Sequence, residues 1–219
     1  MDQSKNKRVL KRAGLNLAKE EVLAFIATRS HIHLNTARRI LKDFGKDREV
    51  ATALLTKGVL SPSSLNALVL EAPHLFHPEA LVSFARETNN PWILRKAVGE
   101  WDRKGFPGWE DLRERLLLAF AENPRWEARY FLGEIENLPR RVVLRLLEWA
   151  EDGNVLFALQ NNPSLDPELK RAVMEKKASL GQMNVDDLIE HPDLLPTFLQ
   201  NAPFNALAAF VADSVAYKA

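Results

Sequence analysis

Short apolar stripes that prolines interrupt again and again constrain this chain most strongly. Apolar residues recur with i, i+3, i+4 spacing, as in Leu112, Leu116 and Phe120, and each set would lie on one face of a helix. Strand-type alternation is nearly absent. All twelve prolines lie between Pro62 and Pro203, mostly in a turn or at an expected helix start, where proline removes no helical hydrogen bond. The sequence therefore predicts an all-α protein of short helices.

The expected helices recur in pairs with a period of about 30 residues. Because the connections are short, the two helices of a pair should run antiparallel. Repetition of this length indicates a stack in which neighbouring pairs bury a core that no single pair could form alone. We therefore expect a right-handed superhelical stack of about seven helical hairpins, with an irregular helical bundle as the alternative. The hairpins are expected at about 18–45, 47–72, 77–104, 108–136, 139–161, 166–190 and 193–217.

Two segments share short apolar helices joined by Asn-Pro turns. Residues 120–132 read Phe-Ala-Glu-Asn-Pro-Arg-Trp-Glu-Ala-Arg-Tyr-Phe-Leu, and residues 158–173 contain Asn-Asn-Pro followed by Asp-Pro-Glu-Leu. Over about residues 75–175 this pattern resembles the leucine-rich repeat variant family, a HEAT-like relative. The resemblance implies a HEAT-like α-solenoid. Some members of that family bind an iron–sulfur cluster through cysteines, but this chain has no cysteine, so we predict no cofactor.

Charge is distributed unevenly along the chain. The first 50 residues carry 12 Lys/Arg against 6 Asp/Glu, whereas the remainder carries 18 against 23. We interpret residues 1–17 as a basic, flexible tail and residues 18–219 as a single helical repeat domain. The tail lacks the apolar run of a signal peptide, and no apolar stretch is long enough to predict a membrane helix. A cytoplasmic protein with no membrane partner is therefore expected.

The basic N-terminal part is a candidate nucleic-acid site. Residues 23–44 loosely resemble a helix-turn-helix, and Asn35 is expected to cap its second helix. Arg38, Arg39 and Lys42 would then point outward, where they could contact phosphates or a major groove. Any HEAT-like hairpin has the same appearance, so this hairpin either reads DNA or only continues the stack. Further phosphate contacts are expected from five residues of the tail: Lys5, Lys7, Arg8, Lys11 and Arg12.

The five tryptophans divide into two groups. Trp92, Trp109 and Trp126 fall at expected helix starts, each just after a turn. Aromatic residues there could line one rim of the stack and bind a partner, or they could pack adjacent hairpins together. Trp101 and Trp149 fall on or beside apolar stripes and are expected in the core.

The sequence assigns no residue to catalysis or to a metal. It has no nucleophile elbow, no P-loop and no dinucleotide fingerprint. His74 and His77 straddle an expected helix start instead of converging as metal ligands would. We therefore expect a non-catalytic scaffold that binds another macromolecule, with a protein as the favoured partner. The alternatives are a nucleic-acid-binding regulator or repair-related protein, and an enzyme similar to the HEAT-like DNA glycosylases.

Overall fold

The computed structural model describes residues 18–151 and 153–216, and these ranges contain fourteen α-helices and no strand. The all-α class is thus confirmed. Short 3-10 turns cover Pro73–Leu75 and Pro192–Leu194. The helices are α1 Lys19–Thr28, α2 Leu34–Phe44, α3 Arg48–Thr56, α4 Pro62–Glu71, α5 Pro78–Glu87, α6 Pro91–Lys104, α7 Trp109–Ala121, α8 Trp126–Gly133, α9 Arg140–Trp149, α10 Gly153–Gln160, α11 Pro167–Ser179, α12 Val185–Glu190, α13 Leu195–Asn201 and α14 Phe204–Ala216.

Each of the seven expected hairpins corresponds to two consecutive helices, from α1 with α2 to α13 with α14. Several helices begin where a proline follows a capping side chain. Ser61 Oγ accepts a hydrogen bond from the Ser64 N–H at 3.2 Å, and Asp166 Oδ1 accepts one from Leu169 at 2.8 Å. His77 caps α5 in the same way through Nδ1. Proline fits the next position because that residue has no helical N–H bond to lose.

The expected cap of α2 is wrong. The helix begins at Leu34, so Asn35 lies inside its first turn and His33 takes the N-cap position without a side-chain bond. The backbone decides this start, because the N–H of neighbouring Ile32 donates to the carbonyl of Val59 at 2.7 Å. That bond fixes the chain just before the helix.

The chain divides into two compact units, and the first ends at Ala119. Within it helices α1 to α6 pack on the next helix but one. We call α1, α3 and α5 row 1, since α3 contacts both of the others, and α2, α4 and α6 row 2, since α4 contacts both of the others. Gly45 lies in the connection from α2 to α3. A Cβ atom there would overlap the carbonyl oxygens of Leu75 and Leu41.

The second unit begins at Phe120, and several of its helices also pack on the next helix but one. Helix α10 packs on α8, α11 on α9 and α13, and α14 on α12, but α10 also packs on the helix that follows it, α11. In a stack whose elements contact only near neighbours, a division by contacts does not decide how many domains there are. The single repeat domain over residues 18–219 therefore stays a prediction.

Two buried polar groups tie the helices of the second unit together. Asn162 is 2% exposed, and its Nδ2 donates to the carbonyls of Gly133 and Ile135 at 2.8 and 2.7 Å. Lys177 and Asp187 form a buried ion pair that joins α11 to α12. Gln160, at the end of α10, bonds to both of them, at 2.7 Å from Lys177 Nζ and 2.8 Å from Asp187 Oδ1.

Candidate functional site

Arg38, Arg39 and Lys42 all lie exposed on α2, as the sequence predicts. The guanidinium of Arg38 already forms an ion pair with Glu71 of α4, so a ligand would have to compete with that carboxylate. This pair links neighbouring helices of row 2 and gives Arg38 a structural role. The predicted contacts of the tail, at Lys5, Lys7, Arg8, Lys11 and Arg12, lie outside the described residues.

The two rows of the first unit differ in charge. The row 2 helices carry seven Lys/Arg against four Asp/Glu, whereas the row 1 helices carry three against five. The excess of positive charge on row 2 comes from α2 and α6, because α4 has a single charged residue, Glu71. The basic character predicted for the N-terminal hairpin thus extends to α6.

An open groove of about 670 Å³ runs over α3, between α1 and α5. Its apolar part consists of Leu23, Ile26, Ala27 and Ala53. The groove exists because α3 presents short side chains on its outward side. The sequence signal for it was available in the small residues of α3, but only the packing of row 1 shows that two other helices flank them.

The rim of this groove is charged. Lys19 Nζ lies 3.0 Å from Asp47 Oδ2 and 2.9 Å from Glu49 Oε2. These hydrogen bonds, first to Glu49 and then to Asp47, raise the pKa of Lys19. Arg48 and Lys57 also line the groove, and both are exposed. Lys19 thus binds the two carboxylates that flank Arg48 in the chain, while Arg48 and Lys57, at the two ends of α3, face solvent.

A second, more open groove lies between α9 and α11 in the second unit. Its volume is about 530 Å³. Two glutamates and one lysine border a narrow apolar strip, so this groove offers less apolar contact than the groove of row 1. Its lining residues are Leu144, Leu147, Glu148, Ala172, Glu175, Lys176 and Ser179.

The tryptophans at helix starts do not behave alike. Trp92 and Trp126 are 43% and 45% exposed, so both remain candidates for partner contact. Trp109 is 2% exposed and packs edge-on against Trp101 at 5.2 Å between ring centroids, so it serves packing. Trp149 is 43% exposed, and the expectation that it is a core residue is wrong. It lies beside the buried stripe of α9, under the guanidinium of Arg145.

The described residues contain neither a metal-ligand cluster nor a membrane-spanning helix. Between Ala18 and Ala216, leaving out Asp152, no three His, Asp or Glu side chains are grouped as a metal site would need. Over the same range no helix has both the length and the apolar character needed to cross a bilayer.

Comparisons with known proteins give no relative to set beside this geometry. No family model matches the chain, and neither the curated proteins nor the solved structures contain a significant match.

Proposed function

We propose that this chain is a non-catalytic helical-repeat protein whose hairpins stack as in HEAT-like solenoids. Its first unit holds an acidic, amphipathic helical segment of a partner protein in the row 1 groove. The groove itself is the observation that carries this function. It combines an apolar floor with two solvent-facing cations, Arg48 and Lys57, on an exposed helix surface.

Packing of each helix on the next but one supports the stacked arrangement. This pattern occurs among α1 to α6 and again among α8 to α14. It is what a one-dimensional array of hairpins requires, because every hairpin then contacts only its neighbours. The resemblance of residues 75–175 to leucine-rich repeat variants points the same way.

The lining of the groove selects the chemistry of the segment. A helix that lies in a groove presents apolar residues at i, i+3, i+4 and i+7, and Leu23, Ala27 and Ala53 offer an apolar surface to them. Arg48 and Lys57 would meet carboxylates on the polar side of that helix. Lys19 binds both carboxylates of the groove lining, Asp47 and Glu49, so a basic segment would have to compete with Lys19 for them.

The test is a selection of random 16-residue peptides, displayed on phage, against the full-length chain. Enriched peptides are then titrated by fluorescence polarisation against wild type and against two variants. Ala53→Arg fills the groove, and we expect it to weaken binding at least about tenfold, a loss of about 1.4 kcal/mol. Ala67→Arg places the same side chain on α4 of row 2, is equally half-buried at the start, and should leave binding unchanged.

Equal binding of the enriched peptides to wild type and Ala53→Arg would overturn the proposed groove. So would a selection that enriches basic instead of acidic peptides. Circular dichroism of both variants checks that either substitution leaves the helices folded.

A further inference from the structure

Helix α6 presents an aromatic residue, a cation and a glycine along one exposed side. Trp92, Lys96 and Gly99 are spaced by four and three residues, so they follow one another on the surface of the helix. All three are exposed, whereas Ile93, Leu94, Ala97 and Val98 between them are buried. The exposed side of α6 therefore combines a flat aromatic ring with positive charge.

Gly99 leaves this side of α6 open. A glycine in a helix interior costs about 0.5–1 kcal/mol relative to alanine. Internal packing does not demand it here, because a Cβ atom at Gly99 would meet nothing within 4 Å. A side chain is thus absent at the place where a ligand lying beside Trp92 and Lys96 would approach the helix.

Helix α4 separates α6 from the basic helix α2 and contributes a low, neutral strip. Ser63 and Ala67 lie on its solvent side and are small and uncharged. Packed helices lie about 8–10 Å apart, so the axes of α2 and α6 are separated by about 16–20 Å. Long cationic side chains on α2 and α6 can therefore flank a ligand that lies over α4.

The acidic residues of row 2 are mostly occupied by neighbours. Glu71 is bound by Arg38, and Glu100 by Arg103 and Lys104. Asp102 accepts hydrogen bonds from Trp109 and Arg113. Asp43 is exposed and lies four residues after Arg39, on the same side of α2, but the two side chains form no ion pair.

Three cations remain on α2 and α6 for which the described residues supply no acidic partner: Arg39, Lys42 and Lys96. We propose that the outward side of row 2 binds single-stranded nucleic acid. Arg39, Lys42 and Lys96 contact its phosphates, and an unpaired base stacks on the indole of Trp92. A cationic track beside an exposed aromatic ring is the combination by which proteins hold single strands. This surface lies on the row opposite to the peptide groove, so the two sites are independent.

The experiment measures the affinity of the full-length chain for a fluorescein-labelled 20-residue oligothymidine between about 50 and 200 mM salt. Each phosphate contact on a single strand contributes about 0.7 to the slope of log K against log salt. Lys42→Ala/Lys96→Ala should therefore lower that slope by about 1.4. Trp92→Ala should weaken binding by about 5- to 100-fold with an unchanged slope. Trp92→Phe should restore most of that affinity, because phenylalanine keeps an aromatic face.

A matched control removes two cations from the other row. Arg48→Ala/Lys57→Ala changes the net charge by the same amount, and it should leave oligothymidine binding within about twofold of wild type. The same variant should weaken the binding of the acidic peptides that the row 1 groove is proposed to hold. Failure of one site can therefore be distinguished from failure of the other.

Three results would overturn the single-strand site. The first is no binding at the lowest salt. The second is an equal loss in both double variants, or none in either, which would assign binding to overall charge or to residues 1–17. The third is a duplex of the same length bound as tightly as the single strand with no effect of Trp92→Ala, which would show contact to the backbone alone.

Discussion

Asn162 stabilises two elements with one side chain. Its Nδ2 satisfies the carbonyls of Gly133 and Ile135 at the end of α8, and its Oδ1 accepts hydrogen bonds from Ser164 N at 3.0 Å and Ser164 Oγ at 2.7 Å. Because these groups are buried, water cannot replace the amide if it is removed. The Asn-Pro turn is therefore a structural joint as well as a helix stop.

We expect Asn162→Ala to lower the free energy of unfolding by about 2–4 kcal/mol. The substitution leaves more than one buried carbonyl without a hydrogen-bond donor, at a cost of about 1–3 kcal/mol each. Urea denaturation followed by circular dichroism measures the loss. Asn161→Ala is the control, because Asn161 is exposed, follows the end of α10 and donates its side-chain hydrogen bond to the Phe157 carbonyl of that helix. A similar loss in both variants would contradict the role of the buried amide.

Gly58 and Gly181 both have a positive φ. Substituting each of them distinguishes the energetic cost of backbone strain from the cost of steric overlap. Gly58 has φ +69° and open space where a Cβ would be, whereas Gly181 has φ +65° and a Cβ position that collides with Ala202. Gly58→Ala should cost about 1–2 kcal/mol from the left-handed conformation alone. Gly181→Ala should cost clearly more in the same urea titration. Equal losses would mean that the chain around Ala202 yields without penalty.

The tryptophans show what sequence could not decide at the scale of single residues. Periodicity placed Trp101 correctly, since it continues the buried stripe of α6. It left open whether Trp109 binds a partner or packs adjacent hairpins, and Trp109 packs, since it contacts Trp101 and donates a hydrogen bond to Asp102 at 3.0 Å. It failed for Trp149, because a residue at the margin of a stripe is buried only if another element covers it. Both outcomes depend on neighbours that a pattern within one helix cannot identify.

At the scale of elements, the ion pair between Lys177 and Asp187 joins α11 to α12, and Gln160 links both residues to α10. Burial, the largest influence, raises the pKa of Asp187, but the Lys177 ammonium, the Asn184 N–H and the Gln160 amide together outweigh it. The pKa of Asp187 therefore lies below its ordinary value. A carboxyl with a lowered folded-state pKa stabilises the fold above its unfolded pKa of about 3.9, and that contribution is lost as pH falls through the folded value.

Asp187→Asn should therefore destabilise the protein by about 3–5 kcal/mol at pH 7, because it leaves the Lys177 charge buried without a partner. The deficit relative to wild type should shrink as pH falls below about 3.9, since the unfolded chain then binds the proton of Asp187 before the folded carboxyl, whose pKa is lower, does. Urea titrations at pH 7, 5 and 3 measure it. The double variant Lys177→Met/Asp187→Leu should recover most of the loss. A deficit that is constant with pH would contradict the charge-based explanation.

The elements themselves were largely predictable, for reasons that specific residues illustrate. Pro62, Pro78 and Pro167 mark helix starts because, within a helix, proline is tolerated only in the first turn. The start of α2 was not predictable, because the backbone bond from Ile32 to Val59 comes from another hairpin. The groove over α3 was not predictable either, since the residues that flank it lie on separate helices.

At the scale of the whole molecule, the two compact units raise the question of how cooperatively the chain unfolds. Asn162 belongs to the second unit, which begins at Phe120. In a stack coupled only through neighbours, a local weakness lowers the stability of its own region first. We expect calorimetry of Asn162→Ala to resolve a second transition at lower temperature than the main one. A single transition, shifted as a whole, would show that the two units unfold together.

The packing of each helix on the next but one has a consequence for how such a chain can change its length. Contacts of this kind join residues about one hairpin apart, however many hairpins the protein has. A duplicated hairpin would therefore meet the same kinds of neighbour as its parent, and a deleted one would let its neighbours close on each other. A chain packed in this way is open to growth by gene duplication, one hairpin at a time.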